Sequence, residues 1–385
     1  VPKHLLPRLY GFELLMAPYA IAHMKIGLKL AETGYRFQSD ERARVYLTNS
    51  LEPAMPEMQQ KQIAEMSIAL AHEAKAVNEI KRHKRFTVVI GNPPYSYMSA
   101  NLTSAAAALI EPFRYVDGQR IRERSALSLE RSLQDDFVKF FGLALRLRRE
   151  TGAAFILGFI TNNSYMDSAL HRGVRGELMR LFDRLYFVNL FGDSIKDREE
   201  NVFDIQQGVA IFLGAKACDD RATGAFITDI HGTRANKYTA AQQESMKTLP
   251  FARIQPLAPH RYFLQLETAG EYLSLPSLID VFQLTSTCIK TLKDDLATGF
   301  DMGHVRDNIE YFRNAQTSKE DIKARFGVED VVQWKVEPAR RAVRGVQLNE
   351  FITQYQARPF DYRWMFYHSK IVGSPRTEVM RNLLN

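Results

Sequence analysis

Apolar residues in this chain fall into two textures: short unbroken runs of β-formers, and longer stretches that repeat every three or four positions. Residues 8–14 read as a strand that ends near an acid, Glu13. Pro18 then suits a first helical position, and Ile21, Met24 and Leu28 share one helical face. Residues 44–48 form the next predicted strand. A helix over 56–82 follows, striped by Ile63, Met66, Leu70, Val77 and Ile80 and closed by the cations of 81–85. Cations suit a helix C-terminus, which favours a solvated cap there over a contact with nucleic acid. Val88, Val89 and Ile90 make a third strand that stops at Gly91. Residues 96–132, arginine-rich and weakly periodic, fit a loop or lid, or an ordinary insertion.

The later pattern is clearer. Asp135 and Asp136 open a helix in which Phe137, Phe141 and Leu145 repeat at every fourth position. Residues 153–160 are an unbroken apolar run of the kind buried on both faces. A helix over 171–182 turns Val174, Leu178 and Leu181 inward, and strands are expected over 185–191, 208–213 and 225–230. This alternation predicts an α/β fold with a Rossmann-like wound sheet, and the two close strands at its end suit an antiparallel finish. Past Gly232 the texture turns polar, with Pro250, Pro256 and Pro259 in close succession. The expected division is a catalytic domain over 1–232, a linker over 233–256 and a second region over 257–385.

Composition narrows the setting. Of 385 residues 45% are hydrophobic and 25% charged, which is ordinary for a globular protein, and the length allows more than one domain. No apolar run reaches membrane-spanning length and the start has no signal-peptide layout, so no membrane partner and a cytoplasmic location are expected. Cys218 and Cys288 are too few and too far apart for a disulfide framework or a cysteine-based metal site. The net charge of +7 permits a polyanionic partner without requiring one.

The candidate chemistry sits where the third strand ends, in Asn92-Pro93-Pro94-Tyr95. Open α/β sheets bind ligands at the C-terminal ends of their strands. The prolines supply no N–H, so the turn presents carbonyl acceptors beside the Asn92 carboxamide, and the donor must come from the ligand. An exocyclic amine of a nucleobase meets that demand. If the Asn92 oxygen and the Pro93 carbonyl both accept from one NH2 group, its lone pair is drawn out of conjugation and becomes a better nucleophile. Tyr95 offers a ring on which a base swung out of its helix can stack.

Asn92-Pro93-Pro94-Tyr95 resembles the catalytic motif of gamma-class amino-directed DNA methyltransferases, which move a methyl from S-adenosylmethionine to N6 of adenine. Residues 134–140, 201–211 and the Arg-Pro-Phe-Asp segment at 358–361 are similar to type ISP and type IIG restriction-modification enzymes, whose methyltransferase and target-recognition regions share one polypeptide. The resemblance implies S-adenosylmethionine as cofactor, with Glu13 on its ribose hydroxyls and Asn49 accepting from its adenine amine, where the family usually carries Asp. A solvated strand end for Glu13 and an Asx turn for Asn49 are the plain structural readings. Phe203 stands where the family places a second ring against the extruded adenine, unless it is simply a core phenylalanine. Arg358, Arg363, Lys370 and Arg376 lie in the region leading into target recognition and are the candidate contacts to double-stranded DNA, although arginines among aromatics also suit a small β-rich core with a solvated surface. No metal is needed for the transfer. The family's glycine-rich cofactor loop precedes the region that begins here, so the chain is expected to be an internal piece of a longer polypeptide that can hold nuclease or helicase domains.

Two other functions share part of this pattern. Enzymes that methylate a glutamine amide use the same four residues, because that NH2 offers the same donors, but they lack a large C-terminal region. A non-catalytic DNA-binding module is the second alternative.

Overall fold

The computed structural model describes residues 1–38, 41–56, 68–95, 99–122, 126–217, 223–265, 274–276, 278–282, 286, 289–331, 334–358 and 360–380. It divides into two compact units, Val1–Glu267 and Thr268–Asn385.

In the first unit Gly11–Glu13 (β1) and Val45–Leu47 (β2) pair in parallel, with Glu13 opposite Leu47. The third predicted strand, Val88–Gly91 (β3), joins a larger sheet instead. Between β3 and the next long strand lies a folded segment: helix Ser104–Ile110, a hairpin of Tyr115–Val116 (β4) and Gln119–Arg120 (β5), and helix Ala126–Leu133. Ile110, Phe113 and Leu133 from this segment are fully buried in the main core, which periodicity over so short a helix does not reveal. The main sheet is completed by Phe155–Asn162 (β6), Arg184–Phe191 (β7), Val209–Lys216 (β8), Gly224–Asp229 (β9) and Ala252–Ile254 (β10), in the order β10-β9-β7-β8-β6-β3. β3 runs parallel to β6, whereas β8 lies between β6 and β7 and is antiparallel to both, which is the expected antiparallel finish.

Helix Asp136–Thr151 covers one face, capped by Asp135 and burying Phe137, Phe141 and Leu145 as their spacing predicts. Helix Arg172–Leu181 buries Val174 and Leu178 and approaches the 3-10 turn Glu111–Arg114 so closely that a Cβ on Gly173 would sit 1.9 Å from the Phe113 carbonyl oxygen. Glycine is therefore required there by contact with backbone.

Several expectations need correction. β6 is not buried on both faces: Phe155, Leu157 and Phe159 point into the core, while Ile156 is 48% exposed beside the exposed Val88 and Ile90 of β3. Helix Met16–Glu32 forms, but its Ile21, Met24 and Leu28 are exposed, since no element among the described residues covers that face. The long second helix is described over Ile68–His83, with Val77 and Ile80 buried against Tyr46; Ile63 and Met66 lie outside the described residues, as do the Leu70 side chain and both cysteines, Cys218 and Cys288. The segment taken as a linker carries helix Arg234–Gln243 and β10, which pairs with β9 (Ala252 opposite Ile227). Its prolines flank an edge strand, where the missing N–H costs no ladder bond. Arg261, Tyr262 and Phe263 also belong to the first unit: Phe263 is fully buried, its ring 4.3 Å from Phe187.

In the second unit the sheet is small, Thr298–Gly299 (β11), Ile352–Arg358 (β12) and Asp361–Phe366 (β13) in the order β11-β13-β12, all antiparallel. Its core comes mostly from the helices Met302–Arg313, Lys319–Phe326 and Val336–Val343. No helix among the described residues is long and apolar enough to cross a membrane.

His171, fully buried with Nε2 2.7 Å from the Ser132 hydroxyl, supplies a pH test of this packing. Burial pushes its pKa from 6.5 down to about 4, so the unfolded chain takes up a proton first as pH falls. Its contribution is complete above the unfolded value and is lost between about pH 6.5 and 4, on the order of 3 kcal/mol. Asp135 acts the other way over the same window, because burial pushes it up to about 7 and the native state holds its proton longer. Comparing His171→Phe with the wild type cancels that term. Urea midpoints at pH 7 and pH 5 should show a smaller acid loss in the variant, and equal losses would mean that the imidazole does not titrate in this way.

Candidate active site

Gly91 closes β3 against β6, where a Cβ would meet the Phe159 ring at 3.3 Å, and the chain then enters Asn92-Pro93-Pro94-Tyr95. Asn92 is exposed, Pro93 buried and Pro94 exposed, so one proline anchors the turn while the carboxamide stays accessible. The Tyr95 hydroxyl donates to Asn92 Oδ1 at 3.1 Å. Burial pushes the Tyr95 pKa well above its ordinary value, which keeps the phenol a donor. The Phe203 ring lies 6.1 Å from that of Tyr95, tilted by 45°. The two predicted aromatic residues are therefore brought together, 108 positions apart in numbering, in an open V beside the carboxamide.

Phe203 is half-buried against Val188, Leu190, Val202 and Val209, so the core reading and the site reading both describe part of it. Its loop is held by side chains that sequence reasoning passed over. The buried Asn201 donates from Nδ2 to the carbonyls of Gly192 and Gln207 and accepts from Phe203 N–H. Arg234 reaches back from its helix to the carbonyls of Asn201 and Phe203. Asn201 stood inside the recognised segment, but nothing in the sequence points to Arg234.

Glu13 and Asn49 lie at the C-terminal ends of the parallel pair β1 and β2. One carboxylate oxygen of Glu13 accepts from Leu15 N–H at 2.9 Å. Asn49 Oδ1 accepts from Leu51 N–H at 3.0 Å, the Asx turn foreseen as its alternative reading. Its Nδ2 donates to Asn101 Oδ1 at 3.0 Å, which ties it to the segment that follows the Asn92–Tyr95 turn. The carbonyls of Asn49 and Glu52 accept from Lys81 Nζ, and burial pushes that lysine down to about 8. Lys81 thus binds a loop where a solvated cap was expected. Among the described residues no group of His, Cys, Asp or Glu could hold a metal ion.

The four candidate cations of the second unit differ in availability. Arg358, Lys370 and Arg376 are exposed. Arg363 forms a two-pronged pair with Asp361 (2.8 to 3.1 Å) and stacks 4.7 Å over Phe300, so it is engaged within the unit.

Residues 8–187 match the family of the Eco57I restriction-modification methylase, and residues 280–385 match the Type ISP C-terminal specificity domain. A search of curated protein sequences found no match. Among solved structures, the chain is similar to a nuclease-deletion mutant of the Type ISP restriction-modification enzyme LlaGI in complex with a DNA substrate mimic, with a TM-score of 0.61 and 19% identity over 95% of this chain and 32% of that one. The DrdV–DNA complex gives a TM-score of 0.58 at 19% identity, over 95% of this chain and 38% of that one. LlaBIII, an ATP-dependent Type ISP enzyme bound to DNA, gives 0.55 at 19%, over 95% and 26%. At these identities the likeness is one of fold, and the chain spans well under half the length of each of these proteins. The chain joins a restriction-modification methylase region of the Eco57I family to a Type ISP C-terminal specificity domain.

Proposed function

We propose that this chain methylates adenine at N6 in duplex DNA, using S-adenosylmethionine, after the base has swung out of the helix, as part of a restriction-modification enzyme. The observation that carries the reading is the convergence of Asn92 Oδ1 with the rings of Tyr95 and Phe203 at the end of β3. A carboxamide oxygen has two acceptor positions, and the Tyr95 hydroxyl takes one. The other, with the Pro93 carbonyl, accepts the two N–H groups of the target amine and draws its lone pair toward tetrahedral geometry. At 6.1 Å and 45° the rings do not form a closed sandwich, so the base stacks on one ring and meets the edge of the other.

The acceptors present suit the cofactor. Leu15 N–H holds one oxygen of Glu13, which leaves the other for a ribose diol, and Asn49 Oδ1 retains an acceptor position for an amine. When bound, S-adenosylmethionine would supply an electrophilic methyl group, its sulfonium becoming a neutral thioether while the methylated amine gives up one proton to solvent. The residues of this chain orient the two reactants and prepare the amine, which is mostly a matter of positioning. Of the four candidate cations, the exposed Arg358, Lys370 and Arg376 meet phosphates of double-stranded DNA, with nuclease or helicase domains elsewhere in the same polypeptide.

Asn92→Ala in the full-length protein should lower kcat by about a hundredfold to a thousandfold and leave DNA affinity nearly unchanged, because the lost interaction strengthens only as the amine reacts. The measurement is transfer of labelled methyl to unmethylated DNA, followed by digestion to nucleosides. Label in N6-methyl-2′-deoxyadenosine is the expected result; label in cytosine would change the base, and label in protein alone would favour the glutamine-methylating reading. Retained turnover in the variant would make the turn structural.

The second unit yields a separate contrast. Arg358→Ala should weaken DNA binding and reduce the salt slope of affinity by about one. Arg363→Ala should chiefly lower thermal stability, through loss of its pair with Asp361 and its stack on Phe300. Equal losses of affinity in the two variants would contradict this division.

A further inference from the structure

Asn49 carries an amide where an acid would be an acceptor at both oxygens, so its behaviour depends on which end faces the ligand. The neighbouring bonds decide that. Asp136, at the start of helix Asp136–Thr151, accepts from Asn101 Nδ2 at 3.1 Å and from the Ser99 hydroxyl at 2.5 Å. The fully buried Lys139 donates to Ser99 Oγ and to the Asn101 carbonyl, both at 2.7 Å, which obliges the Ser99 proton to point at Asp136. A carboxylate only accepts. Asn101 must therefore turn its nitrogen to Asp136 and its oxygen to Asn49, and Asn49 must turn its own nitrogen to Asn101. Its oxygen is left beside Leu51 N–H with one acceptor position open.

We propose that Asn101 and Asp136 are positioning residues that fix Asn49 as an acceptor, so that the nucleoside pocket selects a 6-amino purine over a 6-oxo purine. This rests on the reading of Glu13 and Asn49 as the cofactor's nucleoside site. The relay replaces what an acidic residue at position 49 would do unaided, and it links Asn49 after β2 and Asn101 in the segment that follows β3 to Asp136 at the start of the helix leading into β6.

The test is calorimetric binding to the full-length protein of S-adenosylhomocysteine and of its deaminated counterpart, S-inosylhomocysteine, which carries a carbonyl where adenine has its amine. The wild type should prefer the adenosine compound by about tenfold or more, the size of effect expected when a site built for a donor meets an acceptor. Asn101→Ala should lower that preference severalfold, since Asn49 is then held only by Leu51; a merely structural role would weaken both ligands alike and leave the ratio unchanged. Asn49→Asp sets the Asn101 carboxamide between two carboxylates and should weaken S-adenosylhomocysteine about tenfold. An unchanged ratio in Asn101→Ala, or wild-type affinity in Asn49→Asp, overturns the relay alone. Failure of the wild type to bind either compound overturns the nucleoside site and the relay with it.

Discussion

The candidate site depends on one short stretch of parallel pairing, Val88 to Gly91 against Ile156 to Phe159. The turn that follows contains two prolines and brings no ladder bonds of its own, so its place is set by the strand before it. β6 is the firmer partner, paired with β8 from Phe155 opposite Lys216 to Asn162 opposite Val209 and backed by Phe141, Tyr165 and Phe212. Through that sheet the ring of Phe203, which precedes β8, is held at a fixed distance from a turn that follows β3.

Segments that no strand holds are tied down by buried cations. Lys139 binds the Asn101 carbonyl, Arg175 the carbonyls of Tyr165, Ser168 and His260, and Lys237 that of Glu200. Each bond is charge-assisted and satisfies a backbone acceptor that would otherwise be costly to leave unpaired. Part of the positive charge therefore acts inward. A net charge of +7 is accordingly a poor guide to how much of this surface addresses a polyanion.

Periodicity made the central sheet legible. β6 and β7 and the helix with Phe137, Phe141 and Leu145 follow from local spacing alone, and Asn92 to Tyr95 stood out because two prolines directly after an apolar strand are unusual. The pairing of Tyr95 with Phe203 was reachable only through resemblance, since contact between distant positions leaves no mark in composition. What could not be read was tertiary. Residues 233–256 look like a linker because they are polar and close on a run of prolines, yet β10 lies on the sheet edge. Ile21, Met24 and Leu28 repeat as a buried stripe would and are exposed. Arg363 stood among the candidate phosphate ligands, and its pair with Asp361, two positions away on the same strand, was not foreseen. Asn101 gave no signal and Asp136 was legible only as an acid at a helix start, for a single amide and a single acid acquire their further meaning only from what they face.

β3 also governs which changes in chain length the molecule can tolerate. Side chains on a strand alternate between faces, and each residue advances the chain by about 3.3 Å. Loss or gain of one residue within β3 would turn Val89 away from the core it packs against and carry Asn92 about one such step from Phe203. Exchange of one apolar side chain for another leaves both relations intact. The hairpin turn at Asp117 and Gly118 lies on the surface, both residues with positive φ, and an inserted residue there lengthens a loop and disturbs at most its ion pair with Arg261. Divergence in a lineage of such chains would accordingly run through substitution in the four residues of β3 and through insertion and deletion at the hairpin.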